Sequence, residues 1–252
     1  FGRELIAAPV TEQLSEASCR GRSEAWLPEG MWVDLMTNIA YQGNRKLLLW
    51  SELSRTPLFA RSGSIIPLCG SAAAPDGEST LGMLGRQANV GTGNPEEIEL
   101  LLVSGADASY ELIEDQDSDN SLVRTLFEWD DAHHRLTIHG ADGDLDSIPA
   151  RRKILVRTYG YGIDCQLTDL GFIETCTGAS FDLEPKLMSE ELKRSEQIRR
   201  ILTHARCEVE TLTCLDSAWN EGRGAFFAAL SASNVAPDLR EALFQIAIAS
   251  EL

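Results

Sequence analysis

Two stretches decide the fold: Ala25-Trp26-Leu27-Pro28-Glu29-Gly30-Met31-Trp32-Val33-Asp34 and, further on, Pro57-Leu58-Phe59-Ala60-Arg61-Ser62-Gly63-Ser64-Ile65-Ile66-Pro67-Leu68. Each is a short β segment broken by turn residues. Pro28 and Gly30 turn the chain tightly, and Trp26 and Trp32 supply large apolar area on either side of the turn. In the second stretch Gly63 lets the chain bend between two apolar strands. Arg61 lies between those strands, so its charge needs a partner if the position is buried.

Working outward, residues 1 to about 70 keep this rhythm of short strands with a turn signal every ten residues or so, a β-sandwich pattern. Residues 70–95 are rich in Gly, Ala, Ser and Pro and read as a connector with a surface loop. A second β unit follows to about residue 183. In it residues 98–103, 109–113, 126–129, 135–139 and 153–158 are strands, and 163–167 and 171–175 are candidates for two more. The pair 126–129 and 135–139 is a hairpin about Asp130-Asp131-Ala132. The period then changes. Leu192, Ile198, Ile201, Leu202 and Ala205 recur at helical spacing, with Ser189 as N-cap and Glu190 and Glu191 in the first turn. Further helices are expected over 208–219, over 225–231 and from Pro237 onward. The expected fold class is mainly β: two β-sandwich-like domains, 1–78 and 79–185, followed by a C-terminal helical segment, 186–252.

Composition narrows the function classes. The chain has 252 residues, 43% hydrophobic, with a net charge of −17. That acidic balance repels phosphate backbones and anionic lipid, so neither nucleic acid nor membrane is expected as a partner. No run of about 18 apolar residues is present. Cys19, Cys69, Cys165, Cys176, Cys207 and Cys214 are too sparse for a disulfide scaffold and form no Cys-x-x-Cys, so free thiols in a reducing, cytoplasmic setting are expected. The sequence opens at Phe1 as a strand that begins abruptly, the expectation being a piece of a longer chain.

Few residues carry chemistry. Asp115, Asp117 and Asp119 have the alternate spacing of a calcium loop, but Asn120 stands where Gly is needed and Leu126 where the bidentate Glu belongs. A solvated hairpin turn is expected instead. His133 and His134 follow Asp130 and Asp131, yet no nucleophile signature accompanies them, so exposed turn residues are expected. His139 and His204 are isolated. No catalytic residue, metal ligand or cofactor site is assigned.

The two opening stretches, in this order and at this separation, resemble the region just after the catalytic barrel in glycoside hydrolase family 31. Residues 5–10 are similar to the strand that leaves the barrel, and Ser109-Tyr110-Glu111-Leu112-Ile113-Glu114-Asp115-Gln116-Asp117 is similar to the family's strand ending in an acidic turn. The resemblance covers about residues 1–160. It implies the non-catalytic C-terminal region of a retaining α-glucosidase or α-xylosidase, in which the paired acids lie on loops of the barrel. A barrel needs about 200 residues of alternating strand and helix. Residues 1–183 show strand without interposed helices, so the implied partner is a catalytic barrel elsewhere in the same polypeptide, acting on an α-linked glucoside or xyloside. Trp26 and Trp32 are then expected to pack this unit against the barrel, with sugar stacking as the other role. Two further readings are a free-standing carbohydrate-binding module, which would show a row of exposed aromatics, and an assembly module whose helical tail makes a homo-oligomer.

Overall fold

The computed structural model describes residues 2–69, 94–115 and 122–249. The chain is mainly β, with four helices at its C-terminal end, and it divides into two compact units: Phe1–Ala60 with Met188–Leu252, and Arg61–Leu187.

The first unit begins with β1 (Leu5–Ala7), β2 (Gly21–Leu27), β3 (Met31–Asp34), β4 (Ile39–Gln42), β5 (Arg45–Ser51) and β6 (Leu58–Arg61). They form a four-stranded sheet in the order β1-β6-β3-β4 and a two-stranded antiparallel sheet of β2 and β5. Inward residues alternate as strand geometry demands. Ala25 and Leu27 of β2 and Leu47 and Leu49 of β5 meet Trp32, Ile39, Tyr41 and Phe59 in one core. The β2–β3 turn is held by Trp32 Nε1, which donates to the Pro28 carbonyl at 2.9 Å. The β4–β5 turn comes so close to it that a Cβ on Gly43 would lie 1.8 Å from the Pro28 oxygen. Only glycine fits there.

The helical tail completes this unit. It comprises α1 (Glu190–His204), α2 (Val209–Glu221), α3 (Arg223–Ala232) and α4 (Pro237–Ala247). Ser189 caps α1, its hydroxyl accepting from Leu192 N at 3.3 Å, and Pro237 opens α4, where its missing N–H costs nothing. Gly222, at φ 121°, separates α2 from α3. Ile198, Ile201, Leu215, Trp219, Phe226, Leu239 and Leu243 interlock as one cluster, with Ala17 and Trp50 from the strand region packed against it. Ile246 touches both this cluster and the β core, and Ala249 lies in the β core.

The second unit contains β7 (Ser64–Cys69), β8 (Glu97–Val103), β9 (Ala108–Asp115), β10 (Leu122–Asp130), β11 (Arg135–His139), β12 (Asp142–Gly143), β13 (Arg151–Gly160), β14 (Ile163–Glu174) and β15 (Gly178–Asp182). One sheet runs β14-β13-β8-β7, in which β13 and β8 are parallel. In the other, β10 pairs with β9 along its length and with β11 and β12, and β11 pairs with β15. Ile98, Leu100, Leu102, Ile154 and Val156 from the first sheet pack on Phe127, Trp129, Leu136 and Ile138 from the second. This is the sandwich core, built from the alternate positions of each strand.

Two details differ from the sequence reading. The candidates 163–167 and 171–175 are one strand, β14, with a register shift opposite Ile154 and Leu155 that absorbs Leu170. The bend at Gly63, φ 77°, leads into β7, which pairs with β8 rather than with a strand of the first sheet.

Candidate functional site

Among the described residues, no group of three His, Cys, Asp or Glu side chains is arranged to hold a metal ion, and no helix is long and apolar enough to cross a membrane. The sites to weigh are therefore those the sequence singled out, and the charged clusters it did not.

Trp26 and Trp32 separate sharply. Strand alternation sends Trp32 into the core, at 2% exposure, and Trp26 out of it, at 60%. Trp26 faces Lys46 across the β2–β5 pair, and Lys46 and Arg22 both pair with Glu24. The outer face of this small sheet thus carries one bare indole beside a charged network. Arg61 is exposed, so its charge is solvated and needs no buried partner. Tyr161 and Phe172 are the other strongly exposed aromatics among the described residues, one in the turn after β13 and the other on β14.

The β10–β11 turn is an anchored corner. Asp130 closes it on itself: Oδ1 accepts from His133 N at 3.0 Å and Oδ2 meets His133 Nδ1 at 2.7 Å, both groups being exposed. These bonds hold the Asp130 carboxyl below its ordinary value. His134, at φ 50°, lies over the Trp129 ring. Asp131 Oδ1 accepts from three donors: Ser104 Oγ at 2.5 Å, Gly105 N at 2.8 Å and Trp129 Nε1 at 2.8 Å. Burial pushes its carboxyl up, but these bonds outweigh burial and leave it below the usual range. The cluster ties two turns together.

Of the acidic run, Asp117, Asp119 and Asn120 lie outside the described residues. Asp115 ends β9, opposite Leu122. Glu114 is not a solvated turn residue at all. Both its oxygens accept from Arg152, at 2.6 and 2.7 Å, and both side chains are buried. A second buried pair joins Arg157 Nε to Glu99 Oε1 at 2.6 Å across the parallel pair β8 and β13. The sequence reading assigned neither pair. The available signal was parity, since Arg152 shares its strand face with Ile154 and Val156.

A third cluster joins the two ends of the chain. Glu52, just beyond β5, accepts from Arg200 Nε at 2.5 Å and Nη2 at 2.7 Å, and from Arg20 Nη2 at 2.8 Å. Around it the Ser15 hydroxyl donates to Asp238, Arg206 N donates to the Ala17 carbonyl at 2.8 Å, and Trp50 Nε1 donates to Glu241 at 3.2 Å. At the start of α1, Glu190 accepts from Ala40 N at 3.3 Å and pairs with the buried Lys193. These bonds, and the apolar cluster beneath them, make the strands of the first unit and the helical tail one object.

Comparison with known proteins gives this arrangement a context. Residues 1–66 match the family model described as the glycosyl hydrolase family 31 C-terminal domain. An α-xylosidase of Saccharolobus solfataricus is 26% identical over 171 residues, a stretch that covers 65% of this chain and 20% of that protein. Among solved structures, the family 31 α-xylosidase of Xanthomonas citri superposes with a TM-score of 0.56 at 22% identity, over 73% of this chain and 19% of that one. The chain thus spans about a fifth of the length of the relatives it matches.

Proposed function

We propose, from a chain whose residues 1–66 match the glycosyl hydrolase family 31 C-terminal domain, that the whole is the non-catalytic C-terminal region of a retaining α-glycosidase. Its work is mechanical: it braces a catalytic barrel carried by the same polypeptide. The observation that carries the reading is the domain match, joined to the one-fifth share of its α-xylosidase relatives that the chain spans. The relatives' names support an α-linked xyloside as the parent's substrate, with an α-linked glucoside as the alternative that the family resemblance implies. Cleavage with retention would need two carboxylates about 5 Å apart on the barrel, one nucleophile and one acid/base. Among the described residues, the buried carboxylates Glu99, Glu114 and Glu190 instead pair with guanidinium or ammonium groups.

Trp26 is the side chain best suited to a seat for the barrel. A bare indole flanked by Glu24, Lys46 and Arg22 gives an apolar contact with a polar rim. Free thiols at Cys19, Cys165, Cys176, Cys207 and Cys214 support a reducing compartment, which we propose is the cytoplasm.

The test uses the parent polypeptide and this chain side by side. The isolated chain should show no turnover of aryl α-xylosides or α-glucosides above contaminant controls, and the parent should turn over at least one. Trp26→Ala in the parent should lower its thermal stability and leave the KM for the aryl glycoside unchanged. Turnover by the isolated chain would overturn the non-catalytic assignment. A raised KM at unchanged stability would move Trp26 from bracing to sugar contact.

A further inference from the structure

Trp26 shares its sheet face with the tail. Across the β2–β5 pair, Arg22, Glu24 and Trp26 lie opposite Trp50, Leu48 and Lys46, and alternation sends all six away from the core of Ala25, Leu27, Leu47 and Leu49. The tail covers one end of this face. Trp50 packs against the helical cluster, and its Nε1 donates to Glu241 of α4 at 3.2 Å. Arg22 Nε stands 4.0 Å from the same carboxylate. The other end is open: Trp26 is exposed, and Leu48 is half-buried.

Beyond Glu241 the bare surface resumes. Glu241 also lines an open, mostly apolar cleft of about 690 Å3 between α3 and α4, together with Phe227, Leu230, Val235, Arg240 and Phe244. The Phe227 and Phe244 rings meet at 5.5 Å, and Phe244 remains exposed. Apolar surface gathered in this way, with a polar rim, is the mark of a contact site. The cleft and the indole are two ends of one strip. Trp26 and Arg22 are four residues apart on β2, about 13 Å. Glu241 and Phe244 are three apart on one face of α4, about 6 Å. Between them Lys46 and Arg22 pair with Glu24, and Arg22 reaches Glu241, so two cations and two anions neutralise one another in the middle of the strip.

We infer that this strip is a single docking surface for one outer helix of the catalytic barrel, with Trp26 as one anchor and the α3–α4 cleft as the other. The inference rests on the reading of this chain as a brace for that barrel, and it adds the helical tail to the contact. Because Trp50 and Glu241 fasten α4 to the strands, a partner seated on Trp26 meets the cleft as part of the same surface. The outer ring of such a barrel is made of helices. A helix of about 14 residues spans about 20 Å, the length of the strip. An apolar side chain near one of its ends enters the cleft, and one near the other lies on the indole, while the neutralised middle neither repels nor steers it.

The experiment places a thiol at each end of the strip. Asn234 lines the cleft and Lys46 faces Trp26; both are exposed, so Asn234→Cys and Lys46→Cys disturb little of the core. Each variant is made in this 252-residue chain and in the parent polypeptide. Labelling by N-ethylmaleimide is followed site by site by peptide mass spectrometry. Both positions should label freely in the chain alone and about tenfold or more slowly in the parent. A photo-cross-linker carried on the thiol at 234 should then join it to a peptide of the barrel. Slow labelling at 46 with free labelling at 234 would overturn the inference and leave the brace intact. Free labelling at both positions in the parent would overturn the two together. Protection at 234 that grows with concentration of the chain alone would give the cleft to a second copy, and a cross-link to any segment other than the barrel would give it to that segment; either result overturns the inference.

Discussion

Glu52 and Arg200 stand 148 residues apart in sequence and meet in a two-pronged pair, Arg200 Nε to Oε1 at 2.5 Å and Nη2 to Oε2 at 2.7 Å. One partner follows a strand near the front of the chain and the other lies on the first helix of the tail. Arg20 closes the triad from a third segment. Fork-to-fork geometry fixes both distance and angle, so the pair sets the orientation of α1 against the strands of its own unit.

Glu52→Gln keeps the shape of this side chain and removes its charge. Both arginines then lose their common counter-charge, and Arg20 is the more buried of the two. Because Arg200 is partly solvated, we expect a modest loss, about 1–2 kcal/mol. The drop should appear in chemical denaturation of the first unit. A variant as stable as the parent chain would mean that the triad orders the unit without stabilising it.

The same carboxyl makes a pH prediction. Burial pushes Glu52 up, but the Arg200 bonds and the charge of Arg20 outweigh burial and pull it from 4.5 to about 2. A carboxyl depressed in the folded state contributes stability that is present above its unfolded value and is lost as pH falls through the folded one. Stability of the first unit should therefore decline between about pH 5 and pH 2, and Glu52→Gln should flatten that part of the curve. Denaturation midpoints measured at several pH values, with and without the substitution, check it.

Arg152 and Glu114 form the corresponding pair inside the second unit, joining β13 to β9 and so one sheet to the other. At 3% and 6% side-chain exposure, neither charge has water to fall back on. Removing one partner leaves the other charge buried and unpaired, which costs about 3–5 kcal/mol. Arg152→Met alone and Glu114→Leu alone should each be severe. The double substitution should recover most of the loss, because two apolar side chains of similar volume suit that end of the core. Additive losses in the double-mutant cycle would show that the site works by packing and not by charge.

The contrast between these pairs and the elements around them shows what a linear reading can reach. Strand positions were legible because burial alternates along them: Leu122–Asp130 and Arg135–His139 flank an Asp-rich turn, and the Trp26 and Trp32 stretches turn at Pro28 and Gly30. The helices were legible from the period of Ile198, Ile201 and Leu202 and from the Ser189 cap. The β-sandwich fold and its likeness to the post-barrel region followed. Pairing across distance was not legible. Nothing local in Glu114-Asp115 distinguishes a buried partner of Arg152 from a solvated turn acid, and nothing near Glu52 points to Arg200. Trp26 illustrates the same limit at short range: its alternation with Ala25 and Leu27 fixes the face it takes, but not which face of β2 is covered.

The association of the tail with the first strands yields the most decisive prediction. Truncation after residue 187 removes all four helices. Glu52 would lose Arg200, Ser15 would lose Asp238, and Trp50 and Ala17 would lose the apolar cluster against which they pack. Each large apolar side chain returned to water costs about 1.5–3 kcal/mol, enough in sum to outweigh the margin of a small domain. The second unit keeps its own core of Phe127, Trp129, Leu136 and Val156. The five tryptophans report separately, since Trp129 alone lies in the second unit. In the truncated chain the indole N–H of Trp129 should stay in its folded position and unfold cooperatively. The indoles of Trp26, Trp32 and Trp50 should collapse toward unfolded shifts, with binding of a hydrophobic dye. If Trp32 and Trp50 kept their native signals after truncation, the tail would be an appendage on a domain that folds without it, and the bonds at Glu52 would be fastenings rather than part of its core.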